Sequence, residues 1–364
     1  MINEKILKNE ETAVFKLRGL YSSFGYSLYK MNKFEEYDLY VRNKDFLISD
    51  RVITFTDTNG KLLALKPDVT LSIINSFGKN PRGVHKMYYD ENVYRVSGST
   101  GRFKEIMQTG LECIGQIGLY EIAEVLMLAI KSLTVIDSNF SLELAHAGIT
   151  ASLLKDAEIS DNALPQVIES ISVKSISACE QLCKEDIISE EQLKLIEKMI
   201  ITYSDIKSFE DTFREYVITD ECKRSFTEFI ETVNAVSSVD TENKITVNLS
   251  LSSDSGYYSG IIFKGYINGI ATSVLSGGQY DKLIKKIGNT GGAVGFAVYL
   301  DSFERFKREA PEFDVDVLVV KNKNAAPQEI LALVQSITNG GESVLVVNDI
   351  PKNLRYRRVL EAEV

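Results

Sequence analysis

Cysteine, histidine and phosphate-binding glycine loops are scarce in this 364-residue sequence. The four cysteines, Cys113, Cys179, Cys183 and Cys222, include no pair with the two-residue gap of common zinc or thioredoxin-like sites. Reduced thiols are the expected state, and no metal site is expected. The two histidines, His85 and His146, lie far apart, and neither belongs to a His-x-x-x-His or Glu-x-x-His pattern. There is no Gly-x-x-x-x-Gly-Lys-Ser/Thr loop, and no Gly-x-Gly-x-x-Gly follows a strand-like run. GGAVGF at 291–296 enters a strand, so a tight turn or a close backbone approach accounts for its glycines. Nucleotide binding through either common loop is not expected, and no cofactor is implied.

No run approaches the roughly 18 apolar residues of a membrane span, and MINEKILKNEE carries acidic residues where a secretory signal would need apolar ones. A soluble, cytoplasmic protein is expected. Against 51 Asp plus Glu stand 41 Lys plus Arg, a formal charge of -10, which gives no general attraction to nucleic acid. What the chain does have is 44% apolar residues, enough for a large core and a smaller second unit.

The spacing predicts a helix over 10–30, capped by Asn9, with Val14, Leu17, Tyr21 and Phe24 on one stripe. Two short strands should meet at Asn59-Gly60, and two more at Asn268-Gly269, both suited to type I′ hairpin turns. Residues 119–136 are nearly all apolar and read as a helix laid over a sheet. From about 150 to 240 the texture is that of polar helices, with a Ser189/Gln192 capping box and Asp220 as a further cap. Ile245, Val247, Leu249 and Leu251 should share one face of a strand. Hairpins with intervening helices predict an α+β fold on a mainly antiparallel sheet. The expected layout is a core over 1–308, including a helical insertion at 150–240, and an abbreviated C-terminal α/β segment over 312–364.

The segment richest in chemistry is YYDENVYRVSGSTGRFKEIMQTGLECIG, 88–115. On a strand, Gln108 and Glu112 face the same way, with Gly110 leaving room between them. That pattern can hold an amino group while Arg95 meets a carboxylate or phosphate. The residues alone leave open an ordinary polar surface instead. KPDVT at 66–70 offers Asp68 and Thr70, and GYYSG at 256–260 offers Tyr257 and Tyr258.

Together these segments resemble the class II aminoacyl-tRNA synthetase core of the histidyl family over roughly 10–308. YRVSGSTGRFKEIMQTGLE is similar to the second class II motif, which makes Arg95 the substrate-facing arginine and places Gln108 and Glu112 in a histidine pocket. By the same resemblance Asp68 and Thr70 receive the histidine amino group, and Tyr257 and Tyr258 close on the imidazole. GGQYD at 277–281 resembles the family's Gly-Gly-Arg-Tyr-Asp, with Gln279 in place of arginine. Asn32 stands where the first motif usually has proline.

Two further departures bear on activity. The family's carboxylate-activating arginine falls at Ser253, and the acidic-arginine pair of the third motif falls at Asp301 and Ser302. Serine supplies neither fixed charge nor a bidentate fork, so adenylation is expected to be lost. Arg305 and Lys264 are the cations near enough in sequence to substitute. The pattern is similar to the family's non-catalytic paralogues, regulatory subunits that pair with a short-form ATP phosphoribosyltransferase catalytic subunit in histidine biosynthesis. That resemblance implies a dimer, histidine as effector, no catalytic residue and no tRNA. A divergent histidyl-tRNA synthetase and a stand-alone amino-acid-binding scaffold are the alternatives.

Overall fold

The computed structural model describes residues 7–44, 51–77, 83–96, 100–239, 244–254, 257–303, 312–322 and 325–362. The chain divides into two compact units, 1–306 and 307–364.

The first unit is built on an eight-stranded sheet. Its order is Ser27–Leu28, Val84–Val96, Phe103–Gly115, Gly292–Tyr299, Leu275–Gln279, Ile261–Ile267, Phe140–His146 and Ile245–Val247. The outermost pairing on each side is parallel and the five between them are antiparallel. This is the expected α+β architecture, mixed at its edges.

Strand alternation sorts side chains between two faces. Leu111, Cys113, Val294, Phe296 and Val298 point into a large core shared with the helices Asn9–Ser23 and Leu119–Ile136. The second helix has the predicted bounds and is buried along much of its length, as its nearly unbroken apolar run requires. Met87, Tyr89, Val93, Ile114 and Ala293 point the other way, into a second cluster with Tyr40, Ala64, Leu71, Tyr280 and Leu283. That face carries the candidate site.

The polar stretch after residue 150 forms the helices Leu164–Ser172, Ile176–Lys184, Glu190–Ile201, Ile206–Phe213 and Asp220–Ser237. Their apolar sides join the main core, where Phe209 packs on Phe213, Phe226 and Phe229. The Ser189/Gln192 capping box forms as expected: Gln192 N–H donates to Ser189 Oγ (3.2 Å) and Ser189 N–H to Gln192 Oε1 (2.8 Å).

Several local expectations are corrected. The first helix ends at Ser23, and Lys8, not Asn9, occupies its N-cap. Thr219 caps the last insertion helix, its hydroxyl accepting from Cys222 N–H, so Asp220 is the first helical residue. The first hairpin turns through Thr58, Asn59 and Gly60: Asp57 N–H donates to Lys61 O (2.8 Å), and Gly60 N–H donates to Asp57 O (3.0 Å). Gly60 lies at φ 83° while Asn59 does not have positive φ, so the turn is not type I′. After Asn268-Gly269 the chain runs on to Leu275 before the next strand begins. Leu249 and Leu251 leave the strand for a 3-10 turn over Leu249–Asp254, because Asn248 ties the chain down: its carbonyl Oδ1 accepts from Ser250 N–H and Oγ–H.

The second unit is a three-stranded parallel sheet, ordered Val344–Val347, Val315–Lys321, Tyr356–Ala362, with the helix Pro327–Asn339 packed through Leu333 and Ile337. Its last strand was not foreseen, since Arg357 and Arg358 interrupt the apolar alternation. They are accommodated by ion pairs to Asp316 (3.0 Å) and Glu342 (2.6 Å).

Among the described residues, no helix is long and apolar enough to cross a membrane.

Candidate effector pocket

The two long strands Val84–Val96 and Phe103–Gly115 pair residue for residue along their whole length. Glu112 leaves the second of them on the site face and is buried (2% exposed). Its backbone neighbour across the ladder is Gly295, where a Cβ would stand 1.9 Å from Glu112 Oε2. Glycine there makes room for the carboxyl.

Two hydroxyls meet that carboxyl. Thr70 Oγ1 donates to Oε1 at 2.6 Å, and the buried Tyr280 hydroxyl donates to Oε2. Burial pushes the Glu112 pKa up to about 8, the two hydroxyl donors oppose the rise, and the neighbouring charge of Asp68 adds to it.

The KPD segment is anchored from the strand Val84–Val96. Lys66 is buried and ion-paired with Glu91, Tyr94 N–H donates to Lys66 O (3.0 Å), and Arg95 Nε donates to Pro67 O (2.7 Å). Asp68 Oδ1 then accepts from Leu71 N–H (2.8 Å) and Oδ2 lies 3.7 Å from Arg95 Nη2. Burial raises the Asp68 pKa, and the Arg95 guanidinium works against that rise. Arg95 is thus engaged with the chain's own carbonyl and carboxylate.

Gln108 shares the face of Glu112, as the alternation predicted, and is buried (2% exposed) with its Nε2 lacking a hydrogen-bond partner. A buried amide donor left open is uncommon and suits a ligand acceptor. Tyr257 and Tyr258 meet edge to face, with ring centroids 4.8 Å apart, and Tyr257 also contacts Tyr280 (5.8 Å). Burial, with Asp68 next, holds the Tyr257 phenol well above its ordinary range.

The structure therefore connects Asp68, Arg95, Thr70, Glu112, Tyr257 and Tyr258, and sets Gln108 on the same face as Glu112. Lys104, farther out on the Glu112 strand, is ion-paired with Asp301. Arg102 is exposed at the end of the hairpin, and Lys264 sits on Ile261–Ile267 opposite Glu143 and Ser276. The Ser253 and Ser302 side chains, Arg305, and Ser97, Gly98 and Ser99 of the loop lie outside what is described. The sequence reading does not pick out Tyr280 and Lys66 as site residues, although both lie in segments it quotes, GGQYD and KPDVT.

The fold is that of a histidyl-type class II synthetase-like protein. The family model described as histidyl-tRNA synthetase matches residues 2–303. An ATP phosphoribosyltransferase regulatory subunit of Clostridium kluyveri is 30% identical over 322 residues, covering 84% of this chain and 81% of that one. An ATP phosphoribosyltransferase regulatory subunit/histidyl-tRNA synthetase from Bacillus halodurans shares the fold with a TM-score of 0.81 at 20% identity, covering 97% of this chain and 93% of that one. An ATP phosphoribosyl transferase (HisG:HisZ) complex from Thermotoga maritima has a chain with a TM-score of 0.64 at 22% identity, covering 80% and 97%. The chain belongs to the ATP phosphoribosyltransferase regulatory subunit family, built on the histidyl-tRNA synthetase fold.

Proposed function

We propose that this chain is the non-catalytic regulatory subunit of an ATP phosphoribosyltransferase in histidine biosynthesis. It works in the cytoplasm as a dimer, assembles with the short-form catalytic subunit, activates it, and carries feedback by histidine. Phosphoribosyl transfer takes place on the partner, so no residue of this chain is catalytic.

The observation that carries the reading is a set of recognition residues kept while two positions that hold arginine in the family hold serine. Thr70, Tyr280 and Glu112 interlock, and Gln108, four positions back along the same strand face, has its Nε2 left open. The positions that would charge-stabilise adenylation hold Ser253 and Ser302. Such stabilisation is often the largest contribution to catalysis, and removing even one donor typically costs about a hundredfold or more. Recognition without chemistry is what a sensor needs. In this reading Asp68 and Thr70 receive the histidine amino group, Gln108 and Glu112 line the pocket with Arg95 next to Asp68, and Tyr257 and Tyr258 close on the imidazole. Histidine controls activity only if it binds the active and inhibited arrangements unequally.

The test is transferase activity of the short catalytic subunit with this chain added and histidine titrated. Activation followed by inhibition is expected. No activation, with complex formation checked in the same sample, would reject the reading, and histidine-dependent ATP-pyrophosphate exchange would then favour a divergent synthetase.

A further inference from the structure

Two donors tie the Glu112 carboxyl to two different helices. Thr70 is the first residue of the helix Thr70–Ser76, whereas Tyr280 immediately precedes the helix Asp281–Lys286. Tyr280 is 2% exposed and packs in one apolar cluster with Leu283 and Ile284, so its ring and that helix are held together. The start of the helix is also knitted to the tyrosine segment. Asp281 N–H donates to Ser259 Oγ (2.9 Å), and the Asp281 carboxylate accepts from Ala293 N–H (3.0 Å) and Gln279 Nε2 (2.8 Å). On its outer side the helix exposes Lys282, Lys285 and Lys286.

The Tyr280–Glu112 hydrogen bond depends on what the pocket holds. On Oε2 the carboxyl is backed by the Gly295 backbone and capped by Tyr280, so this oxygen reports to the helix and not to solvent. A hydrogen bond to an ionised carboxylate is about twice as strong as one to a neutral acceptor. Burial raises the Glu112 pKa to about 8, toward the neutral carboxyl. A cationic donor placed against Glu112 favours the anion. Occupancy of the pocket thus alters the pull on Tyr280 with no contact between ligand and helix.

We propose that Tyr280 is a positioning residue that couples ligand occupancy at Glu112 to the helix Asp281–Lys286, through a hydrogen bond that strengthens when a cationic or N–H donor ligand engages the carboxyl. The proposal rests on the regulatory reading above and names the part of the chain through which the pocket acts.

The first experiment is amide hydrogen exchange on the full wild-type chain, with and without histidine. Slower exchange over 281–287 on binding is expected; unchanged exchange there at saturating histidine overturns the coupling. The second uses Tyr280→Phe, which keeps the ring and removes the hydroxyl, assembled with the catalytic subunit. Calorimetry should still show histidine binding, while the extent of inhibition at saturating histidine falls at least about fivefold. Thr70→Ala, which removes the other donor, should weaken binding yet keep full inhibition once saturated. Equal inhibition of Tyr280→Phe and wild type overturns the proposal, and should that variant fail to fold, the wild-type exchange decides alone. Exchange needs only this chain and histidine, so it also decides the coupling if the transferase assay rejects the regulatory reading. No histidine binding to the wild-type chain overturns the coupling, and the transferase assay decides the regulatory reading separately.

Discussion

The inner and outer ends of the strand Phe103–Gly115 treat charge in opposite ways. At the inner end Glu112 is buried and met by two neutral hydroxyls, Thr70 and Tyr280. At the outer end Lys104 is ion-paired with Asp301, and the lysine side chain is about half exposed. The inner carboxyl is held near the neutral form by desolvation, so a ligand's charge changes its state. The outer pair is already neutralised and screened by water, so it offers little to an incoming anion. A buried carboxyl met by neutral donors and a half-exposed ion pair are thus two results of burial along one strand.

The strongest way to break this contrast is Glu112→Gln. A carboxyl whose folded pKa is raised from 4.5 to about 8 favours the folded state while protonated. Its contribution is fully present below the unfolded value near 4.5 and is lost as pH rises through about 8. Wild-type stability should therefore decline over that window, with an upper limit of roughly 5 kcal/mol for this group. Denaturant titrations at pH 5 and pH 8.5 should show a smaller decline in Glu112→Gln; an identical decline would show that Glu112 titrates normally.

Arg95→Ala sharpens the contrast within the pocket. It leaves Asp68 buried beside a lost guanidinium and removes the donor to Pro67 O, so a cost of about 3 kcal/mol is expected by denaturant unfolding. Histidine affinity should fall as well, because the 66–70 segment loses an anchor. Wild-type stability in this variant would mean that Leu71 N–H alone holds Asp68.

The smallest effect belongs to the outer end. Lys104→Ala should change stability by less than about 1 kcal/mol, because exposed pairs contribute little. Calorimetry should show unchanged histidine affinity. A large affinity loss would join the two ends into one site.

Much of the fold could be read along the chain wherever one periodicity persisted. Leu119–Ile136 matches its apolar run, and the Ser189/Gln192 box forms because both partners lie within one turn. Gln108 and Glu112 share a face for the same local reason, the period of two along a strand. Errors gathered where a distant partner or backbone conformation decides. Asn59-Gly60 specified a turn but not its type. The apolar alternation at 245–251 was cut short by Asn248, whose Oδ1 takes Ser250 into a turn and whose amide reaches Glu143 from another strand.

By itself the sequence determined the synthetase-like order of elements and the residues available to the pocket, because helix and strand periodicities and short motifs are local properties. It also placed serines, which no fold can charge, at 253 and 302, where the family resemblance expects arginines. Tertiary structure alone decided that Glu112 is buried, that Tyr280 reaches it from 168 positions away along the chain, and that Arg95 turns to Asp68 and Pro67. A carboxyl's charge depends on the water and donors around it, and those arrive only when strands and helices distant in sequence close over one face.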